Sequence, residues 1–235
     1  MKKETFLIID TETCGEVEVP LIYDFGYAIC TRKGHIKLER RYLVSELFYG
    51  RMDLMQSCYF KNKLSNYWKL VQYGNLEVKS IFEIRKTMLT DMEQYGVDTI
   101  GAYNLNFDKR ALDNTIVYAT SGMYKRFIPK SFNIKNLCIW NLACQTLMNR
   151  PTYFKFATNN KLFSENGNIK TGAEMCYQYI TNNSNFQEEH TSLEDVKIEI
   201  QIMTVAFKTH KKNKRGINTR CWQIPNKAYR EYQLI

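Results

Sequence analysis

Thr5-Phe6-Leu7-Ile8-Ile9-Asp10-Thr11-Glu12-Thr13 passes from a short apolar run into two carboxylates two residues apart. A continuous apolar run of this length reads as a buried central strand. Successive side chains on a strand alternate between faces, so Asp10 and Glu12 leave its end on the same side. Two carboxylates a few ångströms apart in a partly dry site persist there only with a proton or a cation between them. An oxygen-rich acidic site suits Mg²⁺ or Mn²⁺. The bland alternative is a strand-end turn with both acids in water. Against it, the end of a buried strand is where α/β sheets place their ligand sites.

Outward from this stretch, residues 21–30 and 35–44 are strand-like and are separated by Thr31-Arg32-Lys33-Gly34, which reads as a hairpin turn. Residues 47–73, rich in Tyr, Leu and Lys, are expected to be helical. Apolar residues at 81, 82, 84, 88, 89 and 92 predict an amphipathic helix over 79–95. A strand over 97–103, a helix over 106–121, a strand over 136–140 and a helix to 148 follow. Residues 149–169 read as irregular, and two helices are expected over 171–181 and 191–208. Three hairpin-linked strands followed by alternating helices and strands give an α/β fold, a mixed central sheet flanked by helices.

The 235 residues suffice for one large domain, and 44% hydrophobic with 24% charged residues excludes a disordered or collagen-like chain. No stretch approaches the ~20 apolar residues of a membrane span. The four strong apolar residues Phe6 to Ile9 are too few for a signal-peptide core. Seven scattered cysteines without a CxxC pair read as reduced thiols, so the expectation is a cytoplasmic protein with no membrane partner. Eight Lys and Arg lie between Lys208 and Arg230, with no Asp or Glu among them, leaving 25 basic against 24 acidic residues elsewhere. A basic tail (209–235) on a balanced body (1–208) points to a polyanion such as nucleic acid, with Lys211, Lys212, Lys214 and Arg215 as candidate contacts. The competing reading is a solvated tail that aids solubility.

Two further stretches carry chemistry. Gly101-Ala102-Tyr103-Asn104-Leu105-Asn106-Phe107-Asp108 begins at the end of an expected strand. Asp108 shares a helix face with Leu112, Ile116 and Ala119, and a carboxylate on a core-facing stripe needs a partner. It is otherwise a helix-start acid stabilised by the macrodipole. In Glu188-Glu189-His190-Thr191-Ser192-Leu193-Glu194-Asp195, Asp195 adjoins the stripe Leu193, Val196, Ile200, Met203 and Phe207. Asp195 and Glu199 are like charges at i,i+4, which is mildly unfavourable unless one of them has a purpose. His190 precedes the helix, where a loop residue can turn toward a site, although a lone histidine there also reads as a surface residue beside a cap.

Taken together, Asp10-Thr11-Glu12, then Asn104-Leu105-Asn106-Phe107-Asp108, then His190 with Asp195 five residues on, resemble the DEDDh 3′–5′ exonucleases, the DnaQ-like group. The resemblance spans roughly residues 5 to 207. Cys14 departs from it, standing where that group often has a second Thr, at the terminal-nucleotide pocket. The Asn-, Lys- and Tyr-rich body is similar to small exonucleases encoded by bacteriophages, for which the host cytoplasm would be the compartment. The resemblance implies an RNase H-like fold and hydrolysis with two divalent cations, Mg²⁺ or Mn²⁺, about 3.5–4 Å apart. It implies that Asp10 bridges both cations, that Glu12 and Asp195 hold the one that binds the attacking water, that Asp108 helps to hold the other through water, and that His190 is the general base. The backbone around Thr11 to Thr13 would grip the terminal nucleotide, Asn104 and Asn106 would orient the phosphate, and Phe107 would stack on a base or pack in the core. The implied substrate is the 3′ end of single-stranded nucleic acid, DNA favoured and RNA possible, released as nucleoside 5′-monophosphates. Replication or repair proteins are possible further partners. An RNase T-like exoribonuclease of the same fold and a non-catalytic nucleic-acid-binding module are the alternatives.

Overall fold

The apolar run near the start of the chain becomes a central strand of a six-stranded sheet. A computed structural model describes residues 4–58, 61–209 and 213–234. Strand β1 (Thr5–Cys14) extends past Asp10 and carries Glu12 within the strand. Strands β2 (Leu21–Thr31) and β3 (Ile36–Val44) pair antiparallel beside it. Then come α1 (Ser45–Phe48), α2 (Met52–Ser57), a 3-10 turn (Lys61–Lys63) and α3 (Leu64–Gln72), followed by β4 (Glu77–Lys79) and α4 (Ile81–Tyr95). Strand β5 (Thr99–Ala102) leads into α5 (Leu105–Ala119), and β6 (Lys135–Cys138) into α6 (Ile139–Thr146). The chain ends in α7 (Pro151–Asn159), α8 (Ala173–Thr181), α9 (Ser192–Lys208) and α10 (Gln223–Tyr232). The strands lie in the order β4-β3-β2-β1-β5-β6, with β4 parallel to β3, β5 to β1 and β6 to β5. The expected mixed sheet flanked by helices is present. No helix among the described residues is long and apolar enough to cross a membrane.

Alternation along β1 divides the core. Leu7 and Ile9 pack with Ile84 and Met88 of α4 and Leu112 and Ile116 of α5. Phe6 and Ile8 pack with Leu142 of α6 and Val196, Met203 and Phe207 of α9. Asp10 and Glu12 continue the second face at the end of the strand, so α9 is the element that meets them. Helix α4 begins in a capping box between Ser80 and Glu83 and stops at Gly96, whose φ of 61° needs no Cβ to accommodate.

Three elements fall outside the expected pattern. Residues 149–169 contain α7, entered through Pro151, whose fixed φ and missing N–H suit a first helical position. Its Tyr153, Phe154 and Ala157 are buried, a spacing too short to stand out from the polar residues between them. β4 is a three-residue edge strand, too short to show a period. The segment 209–235, expected as a basic tail, holds α10. Cys221, Asn226 and Tyr229 there are buried, and the Tyr229 ring stands 5.6 Å from that of Phe154.

Gly26 pairs with Asp10 across β1 and β2. A Cβ on Gly26 would stand 2.6 Å from the Ser192 carbonyl carbon and 2.7 Å from the Leu193 nitrogen. The start of α9 therefore lies directly on the β2 backbone beside the first acid. Gly26→Ala should destabilise the protein by about 1–3 kcal/mol, the usual cost of overpacking. A thermal melt measures this, and an unchanged melting temperature would show that α9 can lift off the sheet at no cost.

Candidate active site

Three elements converge at the end of β1. The strand supplies Asp10 and Glu12. β5 ends at Ala102, and the chain turns through Tyr103 and Asn104 into α5, whose first turn carries Asp108. Helix α9 brings Asp195 in its first turn and Glu199 one turn later. A cleft of 240 Å³ is lined by these five acids together with Thr11, Tyr103, Asn104, Phe107, Ala173, Glu188 and His190. The four acids and the histidine singled out from the sequence thus meet in one place.

Carboxylate oxygens of Asp10, Glu12 and Asp195 all lie within 4.8 Å of one another. Asp108 is fixed from the other side of the strand, where Thr11 Oγ1 donates to its Oδ1 at 2.9 Å. Glu12, Asp108, Asp195 and Glu199 are all buried. Asp195 Oδ1 and Glu199 Oε2 are buried with no hydrogen-bond partner among the described residues. Burial, and then the neighbouring carboxylates Glu199, Asp108, Asp195 and Glu12, hold the Asp10 carboxyl well above the usual range. Burial pushes Glu12 up to about 8, with Asp24 and Asp195 adding to it and Lys63 and Arg41 opposing. Burial raises Asp195 to about 7 against the pull of Lys63. It raises Asp108 to about 7 against the Thr11 hydrogen bond. Close oxygens, orphaned acceptors and carboxyls pushed toward neutrality fit a centre that takes hard divalent cations.

His190 takes φ of 49°, a left-handed conformation uncommon outside glycine. Its Nδ1 lies 3.8 Å from Glu188 Oε2, and the Glu188 backbone N–H donates to Glu174 Oε2 at 2.9 Å. Lys63 reaches over from the segment before α3 and donates to the carbonyls of Glu189 and of His190, the latter at 3.1 Å. Partial burial, and then Lys63, hold the imidazole below its ordinary pKa. Burial and then Asp195 push Glu188 up to about 8.

The first turn of α9 is anchored by a second set of groups. Asp24, fully buried on β2 opposite Glu12, accepts from Ser192 Oγ at 2.7 Å and from Tyr67 Oη at 2.8 Å. Arg41 grips it with Nη2 at 2.7 Å and Nε at 3.0 Å. Asp24, Lys63, Glu188 and Glu199 were not among the sequence candidates. Glu199 carried a signal in its i,i+4 spacing from Asp195. Asp24 and Lys63 had none, because their partners lie far away in sequence.

The expected nucleic-acid contacts divide. Thr11, Asn104 and Phe107 line the cleft, whereas Thr13 and Asn106 do not. Arg110 stands 5.6 Å over the Phe107 ring. Cys14 is buried and its thiol donates to the Leu21 carbonyl. Lys211 and Lys212 lie outside the described residues. The exposed Lys214 is tied through its backbone to Asn141 and Gln145. Arg215 pairs with Glu4 at 2.8 Å, at the opposite end of β1, roughly 20 Å from Asp10 at the rise of a strand.

No family model and no curated protein matches this sequence. Solved structures of Escherichia coli exonuclease I are similar in fold. The zinc-bound complex with single-stranded DNA matches with a TM-score of 0.55 at 13% identity, over 89% of this chain and 41% of that one. The complex with a dA16 oligonucleotide matches at 0.52 and 12% identity, over 94% and 42%. The chain therefore spans about two-fifths of the length of these neighbours. It has the RNase H-like α/β fold.

The raised carboxyls set a pH dependence. A carboxyl with a folded pKa above its unfolded value holds a proton that the unfolded chain releases, so stability falls as pH rises through that window. For Glu12, Asp108 and Asp195 the window runs from the ordinary carboxylate range up to about 7 or 8. In EDTA the melting temperature should be lower at about pH 8 than at about pH 5, and Mn²⁺ should raise it more at the higher pH. A cation-free melting temperature that climbs across this window would refute the buried charge cluster.

Proposed function

We propose that the cleft hydrolyses single-stranded DNA from its 3′ end, releasing nucleoside 5′-monophosphates. The observation that carries this reading is the convergence of Asp10, Glu12, Asp108 and Asp195 with His190 in one cleft, with an Asp195 oxygen left unpartnered. Fold similarity to exonuclease I structures bound to single-stranded DNA supports the substrate class.

Asp10, Glu12 and Asp195 would hold one divalent cation, and Asp10 and Asp108 a second. The two cations, Mg²⁺ or Mn²⁺, would supply Lewis-acid activation of water and charge stabilisation at the leaving oxygen. The protein's own groups do the rest. His190 takes the proton of the attacking water as its oxygen bonds to the terminal phosphorus, and the bond from phosphorus to the 3′ oxygen of the preceding nucleotide breaks. That oxygen takes its proton from solvent. A histidine held below its ordinary pKa is neutral near pH 7 and can accept. Lys63 holds the peptide carbonyls on either side of the His190 Cα, and Glu188 stands beside Nδ1. Thr11, Asn104 and Phe107 line the space for the terminal nucleotide. Residues 1–208 would carry the reaction, and the basic segment 209–235 would add cations for the strand's phosphates.

Labelled DNA and RNA oligonucleotides with Mg²⁺ test the reading. Mononucleotides should appear from DNA 3′ ends, and faster release from RNA would overturn the substrate assignment. Asp10→Ala or Glu12→Ala should abolish release while preserving the melt, since each removes a cation ligand and no core volume. Wild-type turnover in either variant would refute the site.

His190→Ala should lower turnover about 10²–10⁴-fold with substrate affinity kept. The wild-type rate should rise with pH through the depressed histidine pKa, and the variant should lose that limb. A destabilised variant with near-normal turnover would make His190 a structural residue of the α9 start.

A further inference from the structure

Helix α9 presents Glu199 to the cleft one turn beyond Asp195, on the same face. Glu199 is 3% exposed, and its Oε2 is buried with no hydrogen-bond partner among the described residues. It lines the cleft with Asp10 and Asp108. The other buried positions of this stretch of α9 include Val196, Ile200 and Met203, so an apolar residue would suit the core here. A structural buried acid has its oxygens bonded, as Asp24 does to Arg41, Tyr67 and Ser192. Glu199 instead holds an unsatisfied oxygen beside two further carboxyls, an arrangement that is costly unless a proton or a cation completes it.

Resting on the cation centre proposed above, we infer that Glu199 is an additional ligand of that centre, holding the second divalent cation together with Asp10 and Asp108. Among the described residues these three do not form a trio as tight as that of Asp10, Glu12 and Asp195. The second cation is therefore held in part through its own waters, as Mg²⁺ commonly is. The consequence concerns the order of binding. A divalent cation held by one or two carboxylates usually needs substrate phosphates to complete its shell. With a third carboxylate, the second position fills before the nucleic acid arrives.

Mn²⁺ titration of the full chain without nucleic acid, read by free-Mn²⁺ spin resonance and by calorimetry, tests this. Wild type should bind two ions. Glu199→Gln, isosteric with the acid, should keep the first ion and lose affinity for the second by about 10–100-fold. Its cation-free melting temperature should match or exceed that of wild type, because a repulsive charge is gone. Glu199→Met, which removes the charge at similar volume, should show the same loss, and Glu199→Asp should retain part of the affinity. Two ions at wild-type affinity in Glu199→Gln or Glu199→Met would overturn the inference and leave Glu199 a neutral core acid. A single ion in wild type would also overturn it. Asp10→Ala distinguishes the cation centre from the role of Glu199 within it. If it keeps both ions, the cation centre itself is wrong. If it loses them while Glu199→Gln does not, only the role of Glu199 falls.

Discussion

The cleft depends on one buried carboxylate whose two oxygens are both hydrogen-bonded, Asp24. Its two oxygens take four groups from three other elements, Arg41 on β3, Tyr67 on α3, and the Ser192 hydroxyl and amide at the start of α9. Removing one partner of such a buried ion pair typically costs 3–5 kcal/mol, since the remaining charge is stranded. What the network fixes is position. Asp24 sits opposite Glu12 in the sheet, and Ser192 lies three residues before Asp195. The bond between them therefore sets the distance from the strand acids to the helix acid. Gly26, two residues on, lets the helix backbone come into contact with β2.

This anchoring is needed because the cleft itself opposes folding. Asp10, Glu12, Asp108, Asp195 and Glu199 are brought together out of water, and burial pushes all five carboxyls upward, with repulsion from neighbouring acids adding to it at Asp10, Glu12, Asp195 and Glu199. Two like groups so placed lose their charges or gain a counter-charge. Lys63 supplies one nearby cationic group, which pulls Glu12 and Asp195 down without returning them to the ordinary range. The contrast with Asp24 is the informative one. Both sets of acids are buried, but the satisfied one belongs to the scaffold, and the unsatisfied oxygens belong to the cleft. A fold that keeps its repulsive groups on the ends of rigid elements can wait for cations without rearranging.

Period-2 alternation was enough to place Asp10 and Glu12 on one face, while the continuous apolar run and the turn over 31–34 marked β1 and the hairpin of β2 and β3. The helical stripe of α9 was readable from Val196, Ile200, Met203 and Phe207, and it located Asp195 beside the core. Both are local patterns, and local patterns survive in a single sequence. Glu199 was half legible, since its spacing from Asp195 flagged a conflict without saying which acid faced inward. Asp24 looked like any polar residue on a strand, because its meaning lies in partners 17, 43 and 168 residues away. Helix α7 and strand β4 were missed for a different reason. One buries few residues and the other is too short to show a period. The basic run was visible as charge, but its ties to Asn141, Gln145 and Glu4 depend on packing that composition does not encode.

The segment between β3 and α4 lies outside the motif pattern, yet two of its residues act on the third motif. Lys63 holds the carbonyls of Glu189 and His190, and Tyr67, four residues on, holds Asp24 and through it Ser192. One short stretch of chain thus grips both sides of the Thr191 cap, the left-handed histidine before it and the helix start after it. A positive φ at a non-glycine residue persists where the surroundings over-determine it, and these two contacts supply that constraint. Because Lys63 bonds the loop carbonyls directly and Tyr67 reaches the start of α9 through Asp24, the histidine loop is the part of the site whose position follows from this segment. The acids, carried by β1, α5 and α9, are set by the sheet.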